Sequence, residues 1–244
     1  MSICCPSAYP DRLLCNTKCC TINRMGSIPK WLNSTDRIAG NHEAVQKRCT
    51  EQMKTEYQDR ISKLFPPFSR MLNHIIVKEI PSGKILLFEG TIAENLFLII
   101  NGCLRAFYIK ECGTEITEQF FIEGQGVVSF ESASTGTPSR LNIDAIENST
   151  IGIIPWKNVE NTLAENSEYK EYFTTFLKSR LIFYMNQYAS FILDNPENRY
   201  AKFLHEHPEL ASRIPQQYIA SYLGITPVSL SRIRTRLKNR INNC

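Results

Sequence analysis

No run of eighteen apolar residues occurs anywhere in this chain of 244 residues, so nothing in it has the length and apolarity of a membrane-spanning helix. The first residues make no secretory signal, because Cys4, Cys5, Pro6, Pro10 and Asp11 interrupt any apolar stretch. The expectation is a cytoplasmic protein with no membrane partner. Catalytic motifs are missing as well: there is no Walker loop, no G-x-S-x-G and no H-E-x-x-H. Glu115 and Glu118 are close in sequence, yet their odd spacing puts them on opposite faces of a strand. No catalytic residue is assigned, and the chain is not read as an enzyme. His42, His74, His205 and His207 show no pairing that selects a haem.

Cysteine is plentiful but unpatterned. Of nine, Cys4, Cys5, Cys15, Cys19, Cys20 and Cys49 fall in the first 49 residues, and Cys103, Cys112 and Cys244 are scattered. A reducing compartment argues against disulfides. Cys15-x3-Cys19-Cys20 offers three thiolates to zinc or an iron–sulfur cluster, but there is no C-x2-C pair and the flanks have no strand or helix period. Unstructured thiols are the expectation, with no metal and no cofactor.

Residues 1–52 mix Cys, Pro, Asn, Thr and Arg without a period of 2 or 3.6 and read as an unstructured extension. The sequence changes character at Met53, which reads as the natural start. Residues 54–65 suit a short amphipathic helix with Tyr57, Ile61 and Leu64 on one side, stopped by Pro66-Pro67. From about 75 to 155 the pattern is short strands with turns. Ile75–Val77, Lys84–Phe88, Leu96–Ile100, Cys103–Ile109, Glu115–Ile122, Leu141–Ile146 and Thr150–Ile154 alternate with glycine-bearing turns. Asn101-Gly102 reads as a two-residue hairpin. Strands this short and close predict a jelly-roll β-barrel.

A long helix follows, roughly 168 to 193. Phe173, Leu177, Leu181, Tyr184, Tyr188 and Phe191 recur at helical spacing, widened by Phe176, Phe183 and Ile192. One side suits the barrel and the other a second copy of the helix. Asp194-Asn195-Pro196 makes a hinge, and Glu197–His207 is the next helix.

Residues 219–234 then read as a helix-turn-helix. Ile219, Ala220 and Leu223 give the first helix an apolar face, Gly224 ends it, Thr226 caps the second and Pro227 occupies its first position. Leu230, Ile233 and Leu237 face inward, while Ser229, Ser231, Arg232, Arg234 and Arg236 face outward. Charge is distributed accordingly. Residues 195–244 carry eight Lys/Arg against three Asp/Glu, a net of +5, and residues 53–194 carry thirteen against seventeen, a net of −4. A basic excess confined to this segment suits the neutralisation of nucleic-acid phosphates.

Barrel, long helix, hinge and helix-turn-helix, in this order, resemble the Crp–Fnr superfamily of bacterial regulators. The resemblance covers about 55–244 and is closest at 197–236. There, Glu197-Asn198-Arg199-Tyr200, Pro208-Glu209-Leu210 and Ile214-Pro215-Gln216-Gln217 through Arg234 are similar to the branch common in Bacteroidetes. The resemblance implies an α+β chain: a sensor barrel over 53–166, a long dimerisation helix and hinge over 167–194, and a winged helix-turn-helix over 195–244. It implies a homodimer on double-stranded DNA, an effector in the barrel that rotates the DNA domains about the hinge, and RNA polymerase as a further partner. Gln216 and Gln217 would contact phosphate. Residues 227–238 would lie in the major groove, with Thr226, Ser229 and Ser231 along the leading turn. Arg232 would meet a base edge such as guanine O6/N7, or else clamp a phosphate.

Two departures stand out. Some members have Arg-Glu after the cap, where this chain has Pro227-Val228, so Val228 offers at most contact with a thymine methyl. Cyclic-nucleotide binders carry Gly-Glu for the ribose and Arg-Ser for the cyclic phosphate. This chain has Gly126-Val127-Val128-Ser129 and Ser139-Arg140. The effector pocket would comprise Gly126, Val127, Ser129, Ser139 and Arg140, for a small anion or metabolite other than cyclic AMP; the alternatives are a surface role for Arg140 and a barrel with no ligand. Two other readings are weighed: a sensing scaffold without specific DNA binding, and an Fnr-like iron–sulfur sensor using N-terminal cysteines plus Cys103 or Cys112. The N-terminal spacing does not match the family's C-x2-C-x5-C.

Overall fold

A computed structural model describes residues 57–65, 72 and 74–242. The chain divides into two units, Met1–Leu72 and Asn73–Cys244. The extension over 1–52, Met53 and Pro66-Pro67 lie outside the described residues. In the first unit, residues 57–64 form a helix (α1) in which Ile61 is buried and Tyr57 and Leu64 are half-buried, the face expected from their spacing.

The second unit opens with eight strands in two antiparallel sheets. Strands β1 (Ile76–Ile80), β2 (Ile85–Leu87), β3 (Asn95–Asn101), β4 (Leu104–Ile109), β5 (Glu115–Phe121), β6 (Gly126–Val127), β7 (Asn142–Ala145) and β8 (Ser149–Pro155) follow the turn punctuation of the sequence. One sheet has the order β1-β8-β3-β6 and the other β2-β7-β4-β5. Phe97, Ile99, Leu104, Phe121, Ile143 and Ile151 fill the space between them.

The Asn101-Gly102 hairpin does not form. β3 and β4 belong to different sheets, and the two residues carry the chain around the corner between them. Gly102 makes the corner at φ +104°, where a Cβ would lie 2.3 Å from Ser149 Oγ. Its amide donates to Glu123 at 2.8 Å and the Cys103 amide to Ser149 Oγ at 3.2 Å. The hairpin that β4 does form is with β5, joined through residues 110–114 with Lys110 N–H donating to Thr114 O at 3.0 Å. Asn-Gly specifies a left-handed turn; it does not specify which strands pair.

Two helices in this region have no counterpart in the sequence reading: α2 (Phe130–Thr135), between β6 and β7, and α3 (Trp156–Glu165), after β8. The long helix α4 (Ser167–Leu193) begins one residue ahead of expectation, capped by Asn166, whose side chain accepts from the Glu168 and Tyr169 amides. Asn195 caps α5 (Pro196–Glu206) by accepting from the Asn198 amide at 2.9 Å, with Pro196 in the first turn. The chain ends in α6 (Leu210–Arg213), α7 (Gln216–Tyr222) and α8 (Pro227–Asn242). The expected wing is not formed: residues 196–242 contain no strand, and α8 continues as helix to Asn242. No helix among the described residues is long and apolar enough to cross a membrane.

Apolar residues lie on both sides of α4. Phe173 joins Phe130, Trp156 and Phe176 in an aromatic cluster with ring centroids 6.0–6.5 Å apart. Phe173 and Leu177, expected on the dimer face, are half-buried within the chain's own fold. Leu181, Tyr184, Tyr188 and Phe191 are exposed, and Ile182, Met185 and Ile192 are exposed with them. The helical region also shares a core with the barrel. Cys103 and Phe120 pack in one cluster with Phe203, Ile214, Ile219, Leu223 and Leu230.

Candidate nucleic-acid interface

The helix-turn-helix is built as its punctuation requires. Gly224 sits at φ +69° and donates to Ser221 O, while the Ile225 amide donates to Ala220 O, both at 3.0 Å. These bonds close the carboxyl end of α7. Thr226 Oγ1 accepts from the Ser229 amide at 3.1 Å and so caps α8. Ile219, Ala220, Leu230 and Ile233 are buried. Val228, Ser231, Arg232 and Arg234 project into solvent. Ser229 is half-buried, and its hydroxyl lies 3.0 Å from that of Thr226. Both hydroxyls therefore serve the cap.

The remaining candidates divide. Gln217 is exposed, as a phosphate contact requires. Gln216 is half-buried, and its side-chain carbonyl oxygen is buried without a partner among the described residues. Arg236 faces Glu197 of α5 at 3.9 Å, and Arg240 bonds the same carboxylate. Arg232 makes no ion pair among the described residues. It lines a groove of about 1110 Å³ together with Ser231, Arg236 and Glu197.

The first helix of the pair is held against the barrel. Ser221 Oγ donates to Glu115 O and accepts from the Thr117 amide, both at 2.9 Å. Tyr218 stacks on Arg105 of β4 with its ring centroid 3.9 Å from the guanidinium carbon; Phe107 lies on the other side at 4.0 Å. Arg105 is 1% exposed and pairs with Asp144 at 2.7 Å and Glu115 at 2.8 Å. Burial works against its charge, but the two carboxylates outweigh burial and raise its pKa. Arg213 of α6 bridges Glu123 and Glu147. Burial alone would raise the Glu123 carboxyl; the bonds from Arg213 and the Gly102 amide hold it below its usual range instead. The sequence reading missed Arg105, although a lone charge inside the apolar run Cys103–Ile109 was its signal. Nothing local marks Arg213.

The proposed effector residues divide between the sheet, a buried serine pair and the surface. Gly126 and Val127 pair with Leu98 and Phe97 in the sheet. Ser129 and Ser139 are buried with hydroxyls 2.9 Å apart, and the Ser139 hydroxyl also lies 2.8 Å from Leu141 O. Arg140 turns outward, 76% exposed, and pairs with Glu131 at 3.1 Å. At the junction of barrel and long helix, Arg180 instead donates to Gln119 and to Tyr184 Oη, with its guanidinium carbon 4.8 Å from the Phe183 and Tyr184 ring centroids. Beside them, burial raises the Glu118 carboxyl, and burial together with the Glu118 charge pushes the Tyr108 hydroxyl up to about 12. Cys103 is a poor cluster ligand: burial and the Glu147 charge push its thiol up to about 12, which disfavours the thiolate that iron requires.

Two four-stranded sheets, a long helix with an exposed apolar side and a helix-turn-helix with basic residues on its outer face define a β-barrel joined to a helix-turn-helix unit. Residues 77–166 match the cyclic nucleotide-binding domain family. No curated protein matches the chain. FixK2 from Bradyrhizobium japonicum superposes with a TM-score of 0.62 at 17% identity, over 68% of this chain and 85% of its own. A protein of Eubacterium rectale assigned to the Crp/Fnr family of transcriptional regulators gives 0.58 at 19%, over 72% and 84%. The c-di-GMP-responsive global regulator CLP of Xanthomonas campestris gives 0.58 at 14%, over 72% and 92%. The chain therefore has the fold of the Crp/Fnr regulators and carries a cyclic nucleotide-binding-type domain. Two of these three are described as regulators, and none as an enzyme.

Proposed function

We propose that the chain is a dimeric, sequence-specific DNA-binding regulator of transcription of the Crp–Fnr type. The reading rests on one observation above the rest: α8 is capped by Thr226 and anchored by Leu230 and Ile233, and it presents Val228, Ser231, Arg232 and Arg234 to solvent. A helix so held, with small and basic side chains outward, fits the major groove. Arg232 reads a base edge, Val228 touches a thymine methyl, and Gln217 and Arg234 hold phosphates. The exposed face of α4 around Leu181, Met185 and Tyr188 meets a second copy, giving two half-sites one helical turn apart. RNA polymerase is the further partner of such a regulator.

The barrel senses a small molecule other than cyclic AMP. Support comes from the missing carboxylate beside Gly126 and from Arg140, which Glu131 holds at the surface. A ribose hydroxyl and a cyclic phosphate both lack their partners there.

The test is selection of bound sequences from random duplex DNA with the full chain. An enriched inverted repeat is the expected result. Arg232→Ala then loses about 1–3 kcal/mol of discrimination between the selected operator and a scrambled duplex. A folded dimer that enriches nothing, with or without a metabolite pool, would instead support a sensing scaffold without specific DNA binding.

A further inference from the structure

We infer that Glu197 is a positioning residue that withholds Arg236 and Arg240 from DNA, so that the first two turns of α8 do the reading. The inference rests on the DNA-binding function proposed above and adds a residue that sets its specificity. Glu197 lies in the first turn of α5, a turn fixed by the Asn195 cap and Pro196. Its side chain is 20% exposed. One carboxylate oxygen bonds Arg240, and the other lies 3.9 Å from Arg236.

Arg232, Arg236 and Arg240 are four residues apart and form a single row along α8. All three line the groove that Glu197 also lines. The two at the carboxyl end share one carboxylate, while Arg232 makes no ion pair among the described residues.

Duplex DNA is a dense line of negative charge. Each arginine that neutralises a phosphate adds about 0.9 to the salt slope of binding, whatever the sequence. A row of three free arginines would grip any duplex. A carboxylate between two of them cancels part of their charge and repels phosphate from that end of the groove. What remains free is the part of α8 that carries Val228, Ser231 and Arg232. Indiscriminate affinity falls while base reading is kept, which widens the ratio between operator and random DNA.

The experiment measures binding of the full chain to the selected operator and to a scrambled duplex by fluorescence anisotropy across a salt series. Glu197→Gln should steepen the salt slope by about one to two units on both duplexes. It should tighten the scrambled duplex more than the operator, so that the specificity ratio falls about threefold or more. Arg236→Ala with Arg240→Ala, with Glu197 intact, should lower the wild-type slope by less than about one unit. In the Glu197→Gln background the same pair should abolish the gain. Both arginines are exposed, and this second variant, its fold checked by circular dichroism, tests the idea even where Glu197→Gln destabilises α5.

A Glu197→Gln slope within about half a unit of wild type overturns the proposal. So does a drop of about one unit or more in the wild-type slope when the two arginines are removed. Wild-type protein that binds neither duplex overturns the DNA-binding function itself, and this inference with it. Wild-type binding without either Glu197 effect overturns this inference alone.

Discussion

At the scale of single residues, the positions that matter most are those where one side chain, or its absence, resolves a conflict. Gly102 turns the corner between the two sheets in a left-handed backbone conformation, with Ser149 Oγ, Cβ and Cα all within 2.7 Å of where a Cβ would sit. Neither the backbone angle nor the space admits a side chain. Gly102→Ala should destabilise the fold by roughly 2–5 kcal/mol, combining left-handed strain with overpacking. The check is a fall in the urea midpoint with an unchanged slope. Arg105 is the opposite case, a full charge at 1% exposure made tolerable by two carboxylates and two rings. The sequence announces Gly102 as a turn, because glycine after asparagine is a local signal. It does not announce that Arg105 will find Asp144, thirty-nine residues on, or Tyr218 on another element.

Elements were legible to the extent that their ends are written locally. Gly224, Thr226 and Pro227 mark the turn of the helix pair, and the structure uses each as its chemistry suggests. The strands fall where alternating turns put them, but their pairing depends on contacts far apart in sequence. That is why Asn101-Gly102 predicts a hairpin and delivers a corner. Helices α2 and α3 are short and follow directly on strands, so no long period betrays them. In α4 the period is clear and the faces are not, because apolar residues surround the helix. Phe173 and Leu177 turn toward the chain's own fold, whereas Leu181 is 61% and Tyr188 71% exposed. A surface this apolar on one helix is unusual for a monomer. On the dimer proposed above, Leu181→Glu would place an unpaired charge in the seam between two such helices. Sedimentation velocity should show a shift from dimer to monomer, and a variant that still sediments as a dimer would move the interface elsewhere. The effector candidates were the least legible. Ser129 and Ser139 do meet, but nothing in Ser139-Arg140 says that the arginine will turn out to Glu131.

At the scale of the whole second unit, the barrel and the helix-turn-helix are packed as one body. They share a core through Cys103 and Phe120, Ser221 ties α7 to β5, and Arg213 clamps the Glu123 and Glu147 carboxylates. The clamp makes the body sensitive to acid in a defined direction. The Glu123 carboxyl has its pKa lowered from 4.5 in the folded chain. Its contribution is therefore fully present above about pH 4.5 and is lost as the pH falls through the lower folded value. The melting temperature of the wild type should drop more steeply below pH 4.5 than that of Glu123→Gln. Equal slopes for the two proteins would show that the clamp does not couple to folding.

The shared core also sets the terms on which such a chain can be rebuilt. A reader carried on a free tether could be exchanged for another, leaving the sensor untouched. Here the underside of the helix-turn-helix is part of the barrel's wall: Ile219, Ala220 and Leu223 of α7 and its turn complete a core that Cys103 and Phe120 begin. A chimera joined at Asp194-Asn195 would bring two unfinished cores together and inherit the complement of neither. New operator specificity would have to arise on the outer face of α8 alone, with the inner face of α7 and the edge of β5 changing only as a matched pair.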